Sequence, residues 1–127
     1  MIGYVTLGTN ELPRAAVFYD AIAAELDTPR MMEFDGFIAW GKADGDAAGI
    51  GLTKPFDGEA ACVGNGVMVA LAAKDKQQVQ KLYDIALANG GTCEGPPGPR
   101  GEGFYAGYFR DPDGNKLNAF VMGPAAA

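Results

Sequence analysis

The chain repeats itself at a constant offset of 64 residues, and no other property of the sequence restricts its fold as much. Tyr4-Val-Thr-Leu-Gly-Thr-Asn-Glu11 aligns with Met68-Val-Ala-Leu-Ala-Ala-Lys-Asp75, so Val5 meets Val69, Leu7 meets Leu71 and Glu11 meets Asp75. The register continues without a gap through Ala15 and Val79, Phe18 and Leu82, Tyr19 and Tyr83, and Asp20 and Asp84. Each copy opens with alternating apolar residues, which signal a strand, and passes into apolar residues at helical spacing. Such a chain is built from two copies of one supersecondary unit.

The helices carry their own boundary signals. In the second copy Asp75 is the expected N-cap, with Gln78 three residues on as a capping-box variant; Val79, Leu82, Tyr83 and Ala86 form the apolar stripe, and Asn89-Gly90-Gly91 ends the helix. In the first copy Asn10 is the expected cap and Pro13 lies in the first turn, where a missing N–H is tolerated. Ala15, Phe18, Tyr19, Ile22 and Leu26 make its buried stripe. Candidate strands follow each helix: Met31–Glu33, Gly36–Trp40 and Ala48–Thr53, then Thr92–Glu94, Phe104–Phe109 and Lys116–Val121. Both halves therefore read β-α-β-β-β. The segment Gly95–Gly103 holds too much Gly and Pro for regular structure and is expected as a loop, either covering a ligand or simply connecting.

Composition excludes several functions. A net charge of -6 with ten Lys and Arg argues against nucleic acid, whose binding rests on clustered cations. No apolar run approaches the ~18 residues of a membrane span. Cys62 and Cys93 lack metal or redox spacing, and the N-terminus does not read as a signal peptide, so two reduced thiols in a cytoplasmic protein are expected. The chain has no histidine, which removes His-based triads, imidazole bases and His-bearing metal sites.

The tandem of two such units resembles the glyoxalase/bleomycin-resistance/dioxygenase group, the vicinal oxygen chelate superfamily. The resemblance is carried by Val5-Thr-Leu-Gly8 and Phe18-Tyr19 in the first unit and by Tyr105-Ala-Gly-Tyr-Phe-Arg-Asp-Pro-Asp-Gly-Asn115 closing the second. It covers essentially the whole chain. It implies an α+β fold in which two tandem βαβββ modules form an open U-shaped, barrel-like mixed sheet around a cavity. Residues 1–127 are then one glyoxalase-like domain, with module 1 at about 1–57, a linker at about 58–66 and module 2 at about 67–123. A homodimer is also implied, its modules pairing within one chain or across two.

Metal-dependent members of that group place His and Glu ligands on the first and last strands of each module. The matching positions here are Tyr4, Met68, the strand Ala48–Thr53, which holds no carboxylate, and Asn118. A phenol, a thioether and a carboxamide are poor donors for hard or borderline divalent metals, so no metal and no other cofactor is expected. Asp111-Pro-Asp-Gly-Asn115 superficially resembles the start of a calcium loop but lacks its later carboxylates, and reads as a hairpin turn.

Tyr4, Met68 and Asn118 are therefore candidates either to line a neutral ligand pocket or to fill it. Tyr105 and Trp40 are aromatic candidates for the same mouth, and Lys54 and Arg100 are candidates to meet an anionic ligand. Glu33 is the one carboxylate in the expected cavity strands and the only nominee for a catalytic base. The reading is a metal-independent, glyoxalase-like small-molecule-binding protein. The alternatives are a glyoxalase-type lyase or isomerase or a ring-cleaving dioxygenase relative with an atypical site, and a protein that serves chiefly as an assembly partner.

Overall fold

The computed structural model describes residues 1–45 and 47–127. In chain order it forms β1 (Tyr4–Gly8), α1 (Leu12–Glu25), β2 (Arg30–Phe34), β3 (Phe37–Trp40), β4 (Gly49–Thr53), β5 (Val69–Ala72), α2 (Lys76–Ala88), β6 (Thr92–Pro99), β7 (Phe104–Arg110) and β8 (Lys116–Met122), with a closing 3-10 turn at Gly123–Ala126. The first strand and helix of each half obey the repeat offset to within a residue at each end. The strands form two mixed four-stranded sheets, sheet A in the order β1-β4-β3-β2 and sheet B in the order β5-β8-β7-β6. Each has one parallel pair, with Val5 opposite Ile50 in sheet A and Val69 opposite Leu117 in sheet B; the other pairs are antiparallel.

The expected helix signals act in the second half. Asp75 Oδ1 accepts the Gln78 N–H at 2.8 Å, and Gln78 Oε1 accepts the Lys74 N–H at 2.9 Å, so two otherwise orphaned donors are satisfied. Gln78 Nε2 also donates to the Glu25 carboxylate at 3.1 Å, tying the start of α2 to the end of α1. The first half departs from expectation. Glu11, not Asn10, holds the cap position and makes no side-chain cap bond. Asn10 instead binds the linker: its Nδ2 donates to Ala61 O at 3.1 Å and its Oδ1 accepts the Ala61 N–H at 2.7 Å.

The Gly/Pro-rich segment also departs from expectation, because Gly95–Pro99 extends β6. Proline removes a ladder donor, which is tolerated on an edge strand, and β6 is the edge of sheet B with register shifts on both sides of Gly95.

Strand alternation sorts every side chain to one of two faces. Leu7, Ile38, Trp40 and Leu52 of sheet A and Leu71, Phe109, Leu117, Ala119 and Val121 of sheet B join Phe18, Tyr19, Ile22, Val79, Leu82 and Ala86 of the helices in one buried cluster. The helices pack on each other and on their own sheets. The layers are thus sheet, helices, sheet, and the opposite face of each sheet points away from the core. The two sheets do not close into a barrel within the chain.

The turn Asp111–Asn115 joins the halves. Asp111 is buried; its Oδ2 accepts the Tyr19 hydroxyl of α1 at 2.7 Å and Asn115 Nδ2 at 2.9 Å, while its Oδ1 accepts the N–H groups of Asp113 and Asn115, each at 2.9 Å. Asn115 Nδ2 also donates to Gly8 O at 2.9 Å, and Asp113 Oδ1 accepts the Asn10 N–H at 3.0 Å. Every carboxylate oxygen of Asp111 is occupied by the protein itself. Among the described residues no helix is long and apolar enough to cross a membrane.

Candidate functional site

The outer face of sheet A carries Tyr4 and Thr6 of β1, Phe37 and Ala39 of β3, and Met32 and Phe34 of β2, by register with Gly49 and Gly51 of β4. Tyr4 and Phe34 are each 63% exposed, and Met31 and Met32 are exposed with them. These side chains surround a hollow of about 540 Å³ whose floor includes Gly49. The glycines of β4 are required sterically. A Cβ on Gly51 would lie 2.9 Å from Phe37 Cζ and 3.4 Å from Thr6 Cγ2, and one on Gly49 would lie 2.7 Å from Trp40 O. The sequence Gly49-Ile-Gly51 thus turns the partly buried Ile50 to the core side and leaves the other bare for Phe37.

The outer face of sheet B carries Ala70, Ala106, Tyr108, Lys116, Asn118 and Phe120. Asn118 lies between Ala70 and Tyr108 across the sheet, with Phe120 stacked on Phe104 beside it at 5.6 Å. It is 1% exposed, and its Oδ1 is buried with no hydrogen-bond partner. The Tyr108 ring faces two cations, Arg100 Cζ at 5.5 Å and Lys116 Nζ at 5.6 Å. Met68 is exposed just before β5 and borders both a 490 Å³ hollow on this face and a 590 Å³ groove lined by β5 on one side and by Val5, Gly49 and Ile50 of sheet A on the other.

The candidate residues separate accordingly. Tyr4 stands on the outer face of sheet A; Met68, Asn118 and Arg100 stand at the outer face of sheet B. One chain does not bring Tyr4 to Asn118, because the helix layer lies between the two outer faces.

Trp40 faces the helices: it is 4% exposed, its ring lies 5.7 Å from that of Tyr19, and its Nε1 donates to Asp20 Oδ1 at 2.8 Å. Tyr105 also lies on the helix side, opposite Val121, with Lys76 Nζ of α2 at 5.5 Å from its ring. Trp40 is nonetheless among the residues that line the 540 Å³ hollow. Lys54 is exposed and lies against the Gly36 turn.

Glu33 is exposed and ion-paired to Arg30, which in turn donates to both Asp20 oxygens, at 2.9 and 2.7 Å. Hydrogen bonds from Arg30, supported by that from Trp40, hold the Asp20 carboxyl below the usual range. Glu33 therefore takes part in a surface charge network, opposite Ile38 on the sheet.

Sequence reasoning missed two features. One is Lys116, which local pattern marks only as the first residue of a strand; its place two residues before Asn118 is the signal that assigns it the same face. The joint through Asp111 and Asn115 was read as a turn only, although buried polar side chains flanking a Pro-Asp-Gly turn call for partners outside it.

The donor set at the four family ligand positions does not fit a divalent cation. Tyr4 and Met68 offer phenol and thioether, Gly49 to Thr53 offer no carboxylate, and Asn118 is buried. Among the described residues no three of His, Cys, Asp and Glu form a group that could hold a metal ion.

The model of the Glyoxalase/Bleomycin resistance protein/Dioxygenase superfamily matches residues 1–119. A glyoxalase/bleomycin resistance protein from Albidiferax ferrireducens T118 is 36% identical, with a TM-score of 0.86 over 94% of this chain and 97% of that one. A glyoxalase/bleomycin resistance protein/dioxygenase family enzyme from Burkholderia phytofirmans PsJN shares the fold at 17% identity and a TM-score of 0.75, covering 94% and 97% of the two chains. Lactoylglutathione lyase from Agrobacterium tumefaciens shares it at 18% identity and a TM-score of 0.67, covering 94% and 92%. No curated protein sequence matches the chain.

Proposed function

We propose, from the premise that this chain belongs to the Glyoxalase/Bleomycin resistance protein/Dioxygenase superfamily, that it is a metal-independent member that binds a small, planar or partly apolar molecule. The whole of residues 1–127 is taken as one such domain, working as a cytoplasmic homodimer. The observation that carries this reading is the outer face of sheet A, where Tyr4, Met31, Met32 and Phe34 stand exposed around a 540 Å³ hollow. Burying a side chain of this size contributes about 1.5–3 kcal/mol, so a contiguous set of them is a surface built to be covered.

In this reading sheet A of one copy faces sheet B of another. The two sheets then complete the U that neither chain closes, and Tyr4 meets Met68 and Asn118 across the dimer. Asn118, 1% exposed in the single chain, would meet a ligand only where a side chain above it moves aside. The missing ligand set favours binding over metal-assisted chemistry, since no residue at those positions supplies a Lewis acid site or a base.

Equilibrium dialysis and thermal-shift measurements against a panel of planar aromatic compounds, with light scattering and metal analysis of the same preparation, test the proposal. A dimer stabilised by at least one compound is expected. Monomer alone with no stabilisation overturns it, and stoichiometric metal with turnover of an α-ketoaldehyde thiol adduct replaces it with a glyoxalase-type lyase.

A further inference from the structure

We infer that the hollow between Lys116, Arg110 and the segment Val63–Met68 is a subsite for an anionic group, so that the ligand is an apolar molecule carrying a negative charge. The inference rests on the binding reading above and names its ligand class. The hollow measures about 490 Å³; Val63, Val67 and Met68 supply its apolar wall, and Lys116, Arg110 and Asn65 its polar side chains.

Charge distinguishes this place from the rest of the surface. The chain carries a net -6, yet no carboxylate lines the hollow. Arg110 is partly engaged, its Nη1 donating to Gly114 O and its Nη2 to Glu94 Oε1, each at 3.0 Å. Lys116 forms no salt bridge among the described residues; its ammonium lies 5.6 Å from the centre of the Tyr108 ring. Arg100 faces that same ring at 5.5 Å, although its guanidinium also donates to Pro96 O at 2.6 Å.

Three cations therefore share the outer face of sheet B, and Glu94 pairs with one of them, Arg110. The wall of Val63, Val67 and Met68 is solvent-exposed, so attraction of Lys116 for an anion is screened by salt. Asn65, which lines the hollow, adds a carboxamide that can donate to the anion. The apolar remainder of the molecule is matched by Met68 and, in the dimer reading, by the outer face of sheet A.

Two probes that differ in charge separate the possibilities: 1-anilinonaphthalene-8-sulfonate and the uncharged N-phenyl-1-naphthylamine, titrated by fluorescence at low and high salt. The sulfonate is expected to bind about tenfold more tightly at low salt, the equivalent of one well-placed charge interaction, and to lose that advantage as salt rises. Lys116→Gln is expected to abolish the difference while leaving the neutral probe's affinity unchanged, which also reports an intact fold. Lys116→Arg is expected to retain it. Equal affinities for the two probes, or a difference that survives Lys116→Gln, overturn the anionic subsite and leave the binding reading standing. Failure of both probes to bind overturns both.

Discussion

Replacing Tyr19 by Phe removes one hydroxyl from the joint between the two halves and leaves the ring in place against Phe18, at 4.9 Å, and Trp40, at 5.7 Å. The lost bond is the 2.7 Å donation from the phenol to Asp111 Oδ2. A buried hydrogen bond to a charged acceptor contributes about 1.5–3 kcal/mol. Asp111 keeps Asn115 Nδ2 on the same oxygen and two backbone N–H groups on the other, so its charge is not stranded. The expected loss is therefore at the lower end, about 1.5–2 kcal/mol, or a fall in Tm of roughly 5–8 °C for a chain of this length. Urea denaturation at fixed protein concentration measures it, and an unchanged m-value shows that the same surface is exposed on unfolding. The repeat supplies the control. Tyr83 is the counterpart of Tyr19, but among the described residues its hydroxyl has no hydrogen bond to a buried carboxylate like that of Tyr19 to Asp111, so Tyr83→Phe is expected to change stability less. Equal effects of the two substitutions, or a loss under ~0.5 kcal/mol for Tyr19→Phe, would refute the view that Asp111 locks the halves together.

The same joint has a pH signature. Burial first, and then the neighbouring Asp111 carboxylate, raise the Tyr19 pKa well above the ordinary phenol value; its contribution is thus fully present below about pH 10 and lost as pH climbs through the raised value, which a Tm series from pH 8 upward in wild type and Tyr19→Phe resolves. Asn118→Leu replaces an unsatisfied buried amide by an apolar side chain of similar size and is expected to stabilise the fold by about 1 kcal/mol in denaturant titration while weakening ligand binding. Met32→Glu puts a charge on the exposed face of sheet A and is expected to shift light scattering from dimer toward monomer without changing the far-ultraviolet circular dichroism. Gly51→Val forces the Phe37 ring, whose Cζ would lie 2.9 Å from the new Cβ, into the hollow, and is expected to weaken N-phenyl-1-naphthylamine binding several-fold.

Much of the fold could be read from local pattern. Alternation in Tyr4–Gly8 and helical spacing in Ala15–Ile22, repeated at Met68–Ala72 and Val79–Ala86, are properties of neighbouring residues, and neighbours set backbone geometry. The Asp75 cap with Gln78 was legible for the same reason, its bonds spanning three and four residues. Asn10 failed as a cap because Ala61, far away in the chain, competes for both its amide groups. Pro96, Pro97 and Pro99 read as loop residues because their tolerance depends on whether a neighbouring strand needs their N–H groups. That is a property of the sheet edge and not of the segment.

The candidate site divides in the same way. Residue chemistry is written in the chain, so the loss of His and Glu from the positions of Tyr4, Met68 and Asn118 was visible directly. Their assembly was not. Which face a strand residue occupies follows from its parity, and parity already separates Asn118 from Leu117 and Ala119; but which side of the sheet the helices cover is decided by packing. That packing put Trp40 and Tyr105 under the helices, left Tyr4 and Asn118 on opposite outsides of a three-layer chain, and gathered Lys116, Arg110 and Arg100 on one face of an acidic protein. By itself the sequence determined two like modules and their chemistry, because repeats and donor types are local. Only the tertiary structure decided which residues face the core and which face outward, because both apolar faces of each sheet compete for cover and the helices reach just one.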